Sequence, residues 1–218
     1  MKIATILIAG TALLISAPAF ADGFNNQQSQ GTVVINGQLN LAPVFSHLNA
    51  TLEVVSGDAS AASTAVGNQL MVIAEQDTRV HNTQTQVGDV GATLNAKVRD
   101  VGGDLSLSST ALCNGASIST DPRVTAVDSK QNCDAKDPFA ITNANVRNVG
   151  GLVGISATAV SNQIEVDSNA RNNPITNRQI NRAGTFAEVN ANVKNVGGVG
   201  IAATAAGNTA QIIHIGHE

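Results

Sequence analysis

The stretch Asn143-Ala144-Asn145-Val146-Arg147-Asn148-Val149-Gly150-Gly151-Leu152-Val153-Gly154-Ile155-Ser156-Ala157-Thr158-Ala159-Val160-Ser161-Asn162 decides the fold. Its second half alternates apolar or small residues with Ser, Thr and Gly, the period-two pattern of a half-buried strand. Before the glycines, Ala144, Val146 and Val149 suggest another strand with an irregular end. The paired glycines predict a corner, and the Ser-Asn pair at its end predicts a turn.

Working outward, the same pattern recurs. The anchor alanines Ala50, Ala96, Ala144 and Ala191 are separated by 46, 48 and 47 residues. Phe45, Phe139 and Phe186 precede their anchors by five residues, and only Gly91 breaks that column. Gly102-Gly103, Gly150-Gly151 and Gly197-Gly198 follow the anchors, with Ser56-Gly57 in the first copy. Next come Thr64, Thr110, Thr158 and Thr204, and then Asn68, Asn114, Asn162 and Asn208. The fourth copy is one residue short between glycines and threonine. Such periodicity is the mark of a stacked repeat.

The fold class expected is therefore all-β: a β-solenoid, or parallel β-helix, of four repeats of about 47 residues. Copies start near residues 45, 91, 139 and 186 and span 45–213. A β-sandwich of the same short strands is the alternative. The threonines are expected to form an outward row and the asparagines a turn row, with side-chain amides bonded along the axis. The more variable half of each period, such as 76–89, is expected to form a second rung or a looped excursion. Residues 22–44 read as an N-terminal cap or linker and 214–218 as a tail.

Composition agrees with a narrow stacked interior. The chain has no Trp or Tyr and few charged residues, yet 43% hydrophobic residues, so disorder is excluded. A net charge of −4 without aromatic platforms argues against nucleic-acid binding. Residues 1–21 read as a signal peptide: Lys2, the apolar run from Ile3 to Ile15, and the cleavage site Ala19-Phe20-Ala21. Losing Lys2 with that leader shifts the net charge to −5. No later segment is long and apolar enough to span a bilayer. Export places Cys113 and Cys133 in an oxidising compartment, where they are disulfide candidates closing a loop worth ~3 kcal/mol.

Little in the chain points to catalysis. His214 and His217 lack a third ligand and read as a solvated tail. Asp121, Asp128, Asp134 and Asp137 read as a polar insertion, since their spacing matches no calcium loop. No nucleophile elbow or phosphate loop occurs. No cofactor, metal or catalytic residue is expected, and a polysaccharide-degrading enzyme is the weakest reading.

The export signal, the Gly/Asn-rich β-repeats and the scarcity of aromatics resemble curli-like and holdfast-anchor proteins of Gram-negative cell surfaces. Ala65-Val66-Gly67-Asn68 and Ala157-Thr158-Ala159-Val160-Ser161-Asn162 are also similar to trimeric autotransporter head repeats. The resemblance implies a secreted surface-fibre subunit or anchor. It would self-associate or join other fibre subunits and leave through an outer-membrane secretion pore. A module binding polysaccharide or another regular surface through the threonine row is the second expectation.

Overall fold

The computed structural model describes residues 32–121, 125–134, 138–182 and 184–215. The leader over 1–21 and His217 and Asp137 lie outside them. The described chain is all-β, without helix, and every strand pairing in it is parallel. The strands are β1 (Thr32–Asn40), β2 (Val44–Val55), β3 (Ala59–Ala74), β4 (Thr78–Gln86), β5 (Val90–Val101), β6 (Leu105–Thr120), β7 (Thr125–Cys133), β8 (Phe139–Ser168), β9 (Ile175–Asn181) and β10 (Phe186–His214).

Register follows the sequence periodicity. A four-stranded sheet runs β1-β4-β7-β9, pairing Thr32 with Thr78, Thr78 with Thr125, and Val127 with Ile175. β2 lies on β5, and β5 on the first part of β8. β3 lies on β6, and β6 on the second part of β8, and β10 covers all of β8. The strands together form a nearly closed, barrel-like surface.

Three apolar clusters fill it. At the glycine corner, Leu94, Val98 and Val101 meet Leu105, Leu107, Val153 and Ile155. Small residues occupy the middle: Ala65, Ala92, Ala111, Ala140, Ala157 and Ala159 with Cys113 and Cys133. At the far end Val80 and Val127 meet Ile118, Ile164 and Val166. β6 and its relatives thus form one long wall facing the other strands. No aromatic ring is needed to fill so thin an interior.

Several expectations change. Parallel pairing throughout the described residues does not fit the sandwich alternative, which is built from antiparallel strands. The variable half of each period is neither a second rung nor a loop. It forms β4, β7 and β9, one strand per period, because one wall is long enough to face two shorter strands in succession. Residues 32–40, expected within a cap or linker, are β1 and pair with β4 over their whole length. His214 is no free tail: it ends β10, and its Nε2–H donates to the Ala170 carbonyl at 2.5 Å.

The corner also differs from expectation. Its left-handed residues are Val54, Asp100, Asn148 and Asn195, at φ 53–57°, and no described glycine has positive φ. Glycine is required instead by close stacking. A Cβ on Gly150 would lie 2.6 Å from the Gly102 carbonyl oxygen, and one on Gly102 2.7 Å from that of Ser56. The missing residue of the fourth copy is absorbed here, where the register shifts between Val196 and Gly198.

Candidate functional site

Alternation along β2, β5 and the first parts of β8 and β10 turns every second side chain outward. Parallel register then sets like residues above one another. The outward column one residue before the anchor alanines is asparagine throughout: Asn49, Asn95, Asn143 and Asn190. Asn95 Nδ2 donates to Asn49 Oδ1 at 2.8 Å, Asn143 to Asn95 at 2.8 Å, and Asn190 to Asn143 at 3.0 Å. The next outward column is Thr51, Lys97, Asn145 and Asn192. Between these columns runs an open groove of about 650 Å³, floored by the backbone of Ala50, Ala96, Ala144 and Ala191. The anchor alanines point inward, and Ala96 and Ala144 are buried.

The asparagines expected in turns lie within strands and point inward. Asn68, Asn114 and Asn162 are buried in β3, β6 and β8. Asn68 donates to Asn114, Asn114 to Asn162, and Asn162 to Asn208, each at 2.8 Å. Spare N–H groups reach the facing wall, Asn114 to the Asn132 carbonyl and Asn162 to that of Ile180. A local irregularity buries Cys113 and Asn114 in succession, so the chain bends there without turning.

A second inward ladder, not anticipated from the sequence, lies in the variable strands. Gln84 donates to Gln38 at 2.9 Å, Gln131 to Gln84 at 2.9 Å, and Gln179 to Gln131 at 2.8 Å. Each also donates to the opposite wall, Gln84 to the Gly115 carbonyl and Gln131 to that of Gln163. Full pairing is what makes burial of Gln84 and Gln131 tolerable. The signal was their spacing of 46, 47 and 48 residues.

Thr64, Thr110, Thr158 and Thr204 pair in register and face outward from the long wall. Cys113 and Cys133 form a disulfide, Cα–Cα 6.0 Å, joining β6 to β7 in the middle cluster. His81 Nδ1 lies 3.6 Å from Asp128, and Arg182 pairs with Asp134 at 3.2 Å. Among the described residues no three His, Cys, Asp or Glu side chains are placed to hold a metal ion. No described helix is long and apolar enough to cross a membrane.

The sequence profile of HfaD, holdfast attachment protein D, matches residues 9–216. The chain belongs to the holdfast attachment protein D family. This makes it an adhesion-related bacterial surface protein, cell-surface or extracellular, that associates with other surface or holdfast components. The match upholds the holdfast side of the resemblance, and nothing found supports the curli-like or autotransporter side. No curated protein and no solved structure matches the chain.

Proposed function

We propose that this chain is an exported four-copy β-solenoid, one circuit per copy, that serves as a subunit or anchor of an adhesive fibre on a Gram-negative cell surface. Its role is structural and not catalytic. The supporting observation is the bare edge at β10. Val199, Ile201 and Ile212 are 54%, 53% and 50% exposed, whereas their column mates Val153, Ile155 and Val166 are at most 2% exposed. An edge strand with uncovered apolar side chains and open backbone groups templates addition of another chain.

Ladder polarity favours one direction of addition. The outward Asn ladder ends with the Asn190 Oδ1 acceptor at one edge and Asn49 N–H donors at the other. The Gln ladder ends with the Gln179 acceptor and Gln38 donors. The inward Asn ladder runs the opposite way, ending with Asn208 donors and the Asn68 acceptor. Setting the β1–β3 edge of one molecule on the β9–β10 edge of another continues all three. Head-to-head contact would set like groups against each other. Such a head-to-tail contact does not close, so it builds a filament.

Light scattering on the purified exported chain over rising concentration tests the reading. Mass should grow with concentration, and the double variant Val199→Lys/Ile201→Lys should remain monomeric while keeping its β-sheet circular dichroism. A wild-type chain that stays monomeric throughout would sink the proposal.

A further inference from the structure

Charge is divided between the two walls. The long wall, made by β3, β6 and the second parts of β8 and β10, carries no Lys or Arg, and its acids are Glu165 and Asp167. The face with the asparagine groove is different. Arg99, Arg147 and Lys194 pair in register as one outward column, and Lys97 lines the groove beside it. Four of the chain's 12 basic residues therefore gather on one face of a protein of net charge −4.

Parallel strands hold neighbouring members of that column about 4.8 Å apart at the backbone. Like charges set directly opposite across strands repel. Acids are present on the same face: Glu53 heads the column, Asp100 sits at the corner, and Glu188 accepts from Asn190. None forms an ion pair with the column, since the described ion pairs are His81–Asp128 and Arg182–Asp134. His47 is the remaining titratable group on the face and lies 3.4 Å from Asn95 Nδ2. The column is thus a run of exposed cations without a counter-charge in hydrogen-bonding reach, at the border of a groove lined by amides.

We propose that this face binds a linear acidic polysaccharide, laid along the stacking axis. Its carboxylates would meet Arg99, Arg147 and Lys194, and its hydroxyls the Asn49–Asn95–Asn143–Asn190 and Thr51–Lys97–Asn145–Asn192 columns. The groove itself holds no aromatic ring on which bases could stack, and the exposed rings of this face, Phe45 and Phe186, stand four residues along the strands from the asparagine column, so the rows of amides favour a sugar polymer over single-stranded nucleic acid. A run of like sites at regular intervals also suits a repeating polymer better than a folded protein partner.

Binding of polyuronate, dextran, single-stranded DNA and anionic vesicles to the full exported chain tests this. The V199K/I201K background removes end-to-end association from the readout, so failure here is separate from failure of the filament reading. Polyuronate should bind and weaken steeply with salt, while dextran should not bind. The triple variant Arg99→Gln/Arg147→Gln/Lys194→Gln should weaken polyuronate binding roughly tenfold or more and flatten the salt dependence. The control Lys130→Gln/Arg178→Gln, in the β4-containing sheet, should leave both nearly unchanged. Unaltered binding by the triple variant, equal loss in the control, or DNA or vesicles binding as tightly as polyuronate would each overturn the proposal.

Discussion

At the scale of single residues, stacking and not chain reversal explains the glycines. Gly91 fills the position held by Phe in the other copies because the Phe139 ring lies over it, reaching a centroid distance of 6.0 Å from Phe45. The exception in the Phe column was visible in the sequence, but its cause needed the ring's position. Gly150→Ala should cost about 1–3 kcal/mol, because its Cβ would press on a backbone oxygen that cannot yield. Gly154→Ala should be nearly neutral, as its nearest neighbour is 3.9 Å away. Urea midpoints of the two variants check the contrast. Val54 holds a left-handed conformation that suits Asp100 and Asn148 but strains a β-branched side chain. Val54→Asn should therefore raise the melting temperature by relieving about 1 kcal/mol of strain.

At the scale of strands, the two asparagine ladders look alike in sequence and differ in surroundings. Alternation told outward from inward for the Ala, Val and Ile positions. It failed at Asn68, Asn114 and Asn162, because an irregularity buries successive residues there, two in β3 and β8 and four, Cys113 to Ala116, in β6. The Gln column escaped notice because its outward neighbours Gly37, Thr83, Lys130 and Arg178 share no chemistry. Averaged over all positions, the variable half looked unrelated, although every second residue was constrained. Gln131→Leu should destabilise by about 1–3 kcal/mol, because Gln84 loses a fully buried bond and Gln179 and the Gln163 carbonyl lose part-buried ones. Asn143→Ala should cost under about 1 kcal/mol, since solvent can replace its partners. Denaturant titration of both separates the buried ladder from the exposed one.

At the scale of the whole molecule, the period was legible and the cross-section was not. Four columns of like residues gave the register directly. What they could not give was that two strands lie against one long wall, so that a full period is needed before the chain returns to itself. The disulfide is placed at the one level where Cys113 and Cys133 replace pairs such as Gly67 and Gln86. Reducing it, or the variant Cys113→Ser/Cys133→Ser, should lower unfolding free energy by about 3 kcal/mol. A fall in the urea midpoint without change in the β-sheet spectrum is the expected result.

The pairing of each residue with one 46–48 positions away has a mechanical consequence. The first and last described strands, β1 and β10, lie on opposite edges, so tension between them would peel the molecule one copy at a time instead of shearing it at once. Each released copy of about 47 residues would pay out roughly 160 Å of slack, against about 5 Å of folded thickness. The Cys113–Cys133 bond lies within the second copy, so it would withhold its enclosed segment and shorten the slack that copy releases. An attachment protein built this way would dissipate a sudden load by unspooling, and would rewind when the load falls.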